Sequence, residues 1–166
     1  MLLAIDPGNM QSAFVVIDEY KPIWFKKDDN DKLMANMHTN TLIPEICIHV
    51  DKQLLSVQSI TIEMVESYGM AVGKEVFETV FWIGRFYEYC KQNNPIRISR
   101  KDIKLNLCGS IKAKDSNIRQ ALIDRFAIHD LKTGKGTKKN PDWFYGFHAD
   151  IWAAYALGVT YLDQRR

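Results

Sequence analysis

The sequence has 166 residues, a length for one domain rather than two, and a chain of this size can bury roughly 70% of its surface on folding. Hydrophobic residues make up 46% and charged residues 25%, which excludes intrinsic disorder, collagen-like repeats and coiled-coil fibres. Twenty-two Lys+Arg against twenty Asp+Glu leave a net charge of +2, so a nucleic-acid partner would have to be drawn by a local patch, not by the global field.

Leu2–Ile5 is a short, wholly apolar run stopped by Asp6-Pro7-Gly8, the pattern of a buried central strand and a turn. Ala13–Ile17 and Pro22–Phe25 read as two more strands, so the chain is expected to open with an antiparallel meander. Residues 26–41 are polar without a clear period and are assigned to loop or weak edge structure. Pro44 suits a first helical turn, and Ile43, Ile46, Cys47, Val50 and Leu54 follow at helical spacing. In Ser59–Val65, Ile60, Ile62 and Met64 alternate with Thr61 and Glu63, which predicts a strand.

A loop with Gly69 and Gly73 leads into a long helix, about Lys74–Gln92, and a short strand follows Pro95 around Ile96 and Ile98. Helices are expected over Lys101–Leu107 and Lys114–Phe126. Residues 132–142, rich in Gly and Lys, read as a flexible loop, and a last helix runs from about Ala149 to Leu162. With no internal repeat and no linker, this order predicts one α/β domain over residues 1–166 with a mixed sheet. Cys47, Cys90 and Cys108 are odd in number with no Cys-x-x-Cys pair, which fits buried thiols in a reducing compartment. Asp6 comes too early for a signal peptide, and no apolar run approaches about 18 residues. A soluble, cytoplasmic protein with no membrane partner is expected.

Three carboxylates stand out. Asp6 sits just past an apolar strand, where an unpaired charge would be costly to bury. Alone, it would read as an Asp-Pro-Gly turn capping the backbone. Glu63 lies inside a strand of Ile, Thr, Met and Val, and its ordinary role would be the wet face of an edge strand. Asp150, after His148, heads an Ala-rich helix, where the dipole favours a carboxylate. The alanines allow that helix to approach a sheet closely. If the sheet brings the three acids together they repel unless a hard cation joins them, and Mg²⁺ prefers oxygen ligands. A metal pair held by carboxylates is the usual device for in-line displacement at phosphorus.

In order and local sequence, Ala4-Ile5-Asp6-Pro7-Gly8, Thr61-Ile62-Glu63-Met64-Val65, Gly109–Ile118 and Ala149-Asp150 resemble the RuvC family of Holliday-junction resolvases, and the small size resembles bacteriophage-encoded members. The resemblance covers most of the chain. It implies an RNase H-like fold, a mixed five-stranded sheet flanked by helices, with Asp6, Glu63 and Asp150 as catalytic, metal-binding residues. The family's fourth ligand falls at Phe147, so His148 is the substitute candidate and Asp142 a remoter one. Two Mg²⁺ ions per site are implied, with Mn²⁺ able to replace them. Glu66 stands where the family often carries a base-stacking aromatic, and Tyr68 is the nearest replacement. Lys104 and Lys114 match positions that contact phosphate near the scissile bond, and Lys112 joins them. Lys132, Lys135, Lys138 and Lys139 could extend the patch.

The long helix has two apolar faces. Phe77, Val80, Phe81, Gly84 and Tyr87 form one, expected to pack inside the subunit. Trp82, Phe86 and Tyr89 form the other, expected to meet a second subunit, since the corresponding helix of RuvC-like enzymes lies at the homodimer interface. The activity implied is a Mg²⁺-dependent crossover junction endodeoxyribonuclease that cuts four-way junctions, and other branched DNA, by paired nicks with 5′-phosphate products. The alternatives are a non-catalytic junction-binding protein on the same fold and a YqgF-like RNA-processing nuclease. An actin-like ATPase or sugar kinase is disfavoured by the short chain and the lack of a second Gly-rich phosphate loop.

Overall fold

The computed structural model describes residues 1–40, 42, 57–66, 69 and 71–165. The expected helix after Pro44, and Tyr68, lie outside them. Apolar β-formers build the first hairpin pair: β1 (Leu2–Asp6), β2 (Gln11–Asp18) and β3 (Lys21–Asp29) form the antiparallel meander. β4 (Ser59–Met64) pairs parallel to β1, and β5 (Ile96–Ser99) parallel to β4. The five strands lie in the order β3-β2-β1-β4-β5. β4 is therefore an interior strand, and Glu63 is not on a wet edge.

Period-two alternation divides the strands between two cores. Leu2, Ala4, Val15 and Ile17 face one side, where α3 (Arg100–Cys108), α4 (Asp115–Phe126) and α5 (Ile151–Asp163) pack. Leu3, Ile5, Phe14, Val16, Ile60 and Ile62 face the other, under α1 (Asn30–His38) and α2 (Lys74–Tyr89). Close approach of α5 to the sheet, expected from its alanines, is tightest at Gly158. A Cβ there would come within 2.3 Å of Ile17 Cδ1 and 3.2 Å of Ala4 Cβ.

Residues 26–38 depart from the loop expectation. β3 continues to Asp29, and α1 follows, started by the Asp29 carboxylate accepting the Asp31 N–H at 3.0 Å. The helical period was hidden because Leu33 and Met37 are its only large buried residues. Asn30, at the head of α1, is 3% exposed. Its Nδ2 donates to the Gly8 carbonyl at 2.9 Å, and its Oδ1 accepts from the Ser12 hydroxyl at 2.7 Å. The Gly8 N–H in turn donates to Ser12 Oγ. These bonds pin the turn that follows Asp6.

Segment 132–142 is also not a loose loop. Asp142 is buried, and its carboxylate accepts the N–H groups of Ile128, His129, Asp130 and Trp143. Phe144 and Phe147 anchor its end in the core. Among the described residues, no helix is long and apolar enough to cross a membrane.

Replacing Asn30 with Ala leaves the Ser12 hydroxyl and the Gly8 carbonyl without their partner, a penalty of about 1–3 kcal/mol. Urea unfolding of Asn30→Ala should show a loss in that range with an unchanged m-value.

Candidate active site

β1 and β4 run parallel with Ile5 opposite Ile62, so the next residues, Asp6 and Glu63, stand side by side at the carboxyl end of the sheet. Ala4 packs in the core under α5, and Asp6 follows it by two residues on the same face. Glu63 shares that face because Ile60 and Ile62 point to the other. Asp150 heads α5 on this side, and the residue before it, Ala149, has φ = 42°. A left-handed alanine costs of order 1–3 kcal/mol and occurs where surrounding structure enforces it. Asp150 does not cap its own helix. Its carboxylate is half exposed and pairs with Lys27 Nζ at 2.6 Å.

Two clefts, of about 790 and 380 Å³, meet at Asp6 and Asp150. The smaller is also lined by Glu63, Arg100, Asp115 and Arg119. Arg100, just after β5, donates to Glu63 at 3.3 Å and to Asp115 at 2.5 Å. The acids remain under electrostatic stress all the same. Burial pushes the Asp6 carboxyl well above its ordinary range, and the neighbouring Glu63 charge adds to it, while Arg100 and Lys27 act against both. Burial likewise raises Glu63, to about 6, with Arg100 again opposing.

The other expected site residues fall elsewhere. His148 is exposed, lines neither cleft, and its Nδ1 lies 3.0 Å from the Gly146 carbonyl. Asp142 spends its carboxylate on backbone N–H groups. Lys112 and Lys114 are exposed at the start of α4, and Lys104 is partly buried on α3. None of the three makes an ion pair within 4 Å among the described residues. Arg100, Lys27, Asp115 and Arg119 were missed. Arg100 carried a readable signal, since it directly follows the short strand expected around Ile96 and Ile98; Lys27 was hidden in the polar run without a clear period.

The two apolar faces of α2 are packed the other way round from the expectation. Trp82 and Phe86 are buried in the subunit's own core, Phe86 edge-on to Phe14 with ring centroids 5.6 Å apart, and Tyr89 packs against the same cluster. The exposed face is the other one: Phe77 at 63%, Phe81 at 51% and Val80 at 41%. Both faces repeat at helical spacing, and periodicity does not say which one meets the sheet.

No protein-family model and no curated protein matches this sequence. Its structure does match solved ones. A structure of T. thermophilus RuvC in complex with Holliday junction substrate aligns with TM-score 0.64 at 13% identity, over 99% of this chain and 94% of that one. A second Thermus thermophilus RuvC structure gives 0.62 at 10% identity, over 99% and 95%. The fold is that of RuvC. Within this RuvC fold, Asp6, Glu63 and Asp150 are the acids that line the cleft at the sheet's carboxyl end together with Asp115.

The raised acids should make metal-free stability depend on pH. A carboxyl whose folded pKa exceeds its unfolded one favours folding while protonated, and that contribution is lost as pH rises through the folded value. In EDTA, stability should therefore fall between about pH 4.5 and pH 7. Asp6→Asn should flatten that decline and raise the melting temperature at pH 7, with no gain at pH 4. A flat wild-type profile would contradict this.

Proposed function

We propose that the chain is a divalent-metal-dependent, structure-selective DNA endonuclease, one RuvC-like domain that cuts four-way junctions by paired nicks as a homodimer. The observation that carries this reading is the meeting of Asp6, Glu63 and Asp150 on one face of a RuvC fold, with both strand carboxyls pushed up by burial, Asp6 further by the Glu63 and Asp150 charges and Glu63 by those of Asp115 and Asp150. An all-oxygen donor set of three carboxylates fits a hard cation such as Mg²⁺. Asp6, Glu63 and Asp150 would be the residues that hold it.

Divalent ions bound there supply Lewis-acid stabilisation of the attacking and leaving oxygens. The remaining work belongs to side chains. Arg100 and Lys27 would hold Glu63 and Asp150 in place through charge-assisted contacts at 3.3 and 2.6 Å. Arg119, on the wall of the same cleft, is placed to neutralise a phosphate of the cut strand. Lys104, Lys112 and Lys114 would take flanking phosphates, which fixes register without reading bases. The products would carry 5′-phosphate and 3′-hydroxyl ends.

Junction binding without cutting is the second reading, and one observation favours it. Among the described residues, no three His, Cys, Asp or Glu side chains stand ready as a closed metal cage. Plasmid nicking with and without Mg²⁺ separates the two. Asp6→Asn, Glu63→Gln and Asp150→Asn should each reduce junction cleavage at least about 100-fold, with junction affinity within a few-fold of wild type. Near-normal cutting by any one variant removes that residue from the site.

The wet aromatic face of α2 supports a homodimer, because a two-fold branched substrate needs two cuts and a two-fold enzyme supplies them. Phe81→Glu should yield a folded monomer by light scattering and circular dichroism. Phe86→Glu should fail to fold, since it puts a charge into the core beside Phe14. A wild-type protein monomeric at micromolar concentration would remove the dimer.

A further inference from the structure

The segment from Ile128 to Gly146 is built like a rigid bracket. Asp142 gathers four backbone N–H groups at its base. At its tip, the Asp130 carboxylate accepts the N–H groups of Lys132, Thr133 and Gly136 and the Thr133 hydroxyl. Backbone bonds cross between its two limbs, Phe144 N–H to the Gly134 carbonyl at 2.8 Å and Asp142 N–H to the Lys135 carbonyl at 2.9 Å. Gly134 and Gly136 have φ of 68° and 65°, and a Cβ on Gly136 would lie 2.3 Å from the Asn140 carbonyl oxygen. Both acids of the bracket thus turn inward on its own backbone. Its four lysines, 132, 135, 138 and 139, form no ion pair among the described residues.

The bracket lies along α4. Gln120 Nε2 donates to the Leu131 carbonyl, and Gly134 sits against Ile123. One residue before Gln120 is Arg119, which lines the cleft of Asp6 and Glu63. The bracket's other end leads directly to Asp150. α4 thus joins the cleft wall at Arg119 to the lysine-bearing bracket, whose shape is set by its own hydrogen bonds.

We infer that the 128–146 bracket is a preformed clamp for the phosphate backbone of a duplex DNA arm flanking the cleft. The inference rests on the nuclease reading and adds a second contact region to it. Lysines are point charges without a bidentate fork, so the contact should be insensitive to sequence. The value of the fixed base is that ordering costs are met in folding and not in binding.

The test measures affinity for a synthetic four-way junction and for linear duplex as KCl is varied. Each lost phosphate contact lowers the log–log salt slope by about 0.9. Lys132→Gln/Lys135→Gln/Lys138→Gln/Lys139→Gln, all exterior changes that keep the fold, should lower it by about 2–4 on both substrates. Lys32→Gln/Lys91→Gln, remote from the bracket, should leave it unchanged. Asp130→Ala is the sharper arm. It adds a net positive charge, so charge alone would tighten binding, whereas loss of the preformed shape should weaken it several-fold. An unchanged slope in the quadruple variant, or tighter binding by Asp130→Ala, overturns the clamp and leaves the nuclease reading standing. Lysine-dependent capture of anionic phospholipid vesicles with an unchanged DNA slope overturns it as well. Failure of the wild-type protein to bind either DNA overturns both.

Discussion

Two carboxylates on neighbouring strands repel, and the parallel pairing of β1 with β4 holds Asp6 and Glu63 beside each other regardless. Main-chain hydrogen bonds along the whole ladder fix that pairing, so the side chains have no means of relieving it. Much of the surrounding structure answers this one constraint. Arg100, the first residue of α3 after the next strand, balances Glu63 and is itself steadied by Asp115. Lys27, from β3 on the far side of β1, reaches Asp150. Asn30 and Ser12 fasten the turn below Asp6 so that its carboxylate cannot drift.

The constraint also bears on the small residues Ala153, Ala154, Ala156 and Gly158 among the large ones of α5. Asp150 joins the other acids only if α5 lies low on the sheet, and Gly158 against Ala4 and Ile17 is where it comes closest. The left-handed backbone at Ala149 then turns Asp150 into the cleft and away from its role as a helix cap. Strain here sits one residue from a carboxylate of the cleft, the kind of place where local strain is often held. The acids that could have competed for a cation, Asp130 and Asp142, are consumed in shaping the bracket.

The opposite face of the sheet has a different logic. There α2 offers aromatic residues on two sides, and only one side can be buried in the subunit. Trp82, Ile83 and Phe86 fill the space over Phe14 and Val16, so Phe77, Val80 and Phe81 are left wet. That exposed face lies on the opposite side of the sheet from Asp6, Glu63 and Asp150.

What the sequence by itself determined is local. Short apolar and β-rich runs marked the strands, alternation marked β4 and the parity of Glu63, the Asp-Pro-Gly turn marked the end of β1, and the alanines of α5 foretold its close approach. Each depends on neighbours within a few residues. Tertiary structure alone decided which of two equal apolar stripes on α2 turned inward, because periodicity is symmetric and only the shape of the sheet surface breaks the tie. It also decided that polar residues 26–38 were strand and helix, since their partners, Ala13 and Phe14 on β2 and the turn at Gly8, are distant in sequence. The bracket at 128–146 looked loose by composition, yet its order comes from two carboxylates collecting backbone N–H groups up to 14 residues away. Composition records which groups are present, and only the folded chain shows which of them have found one another.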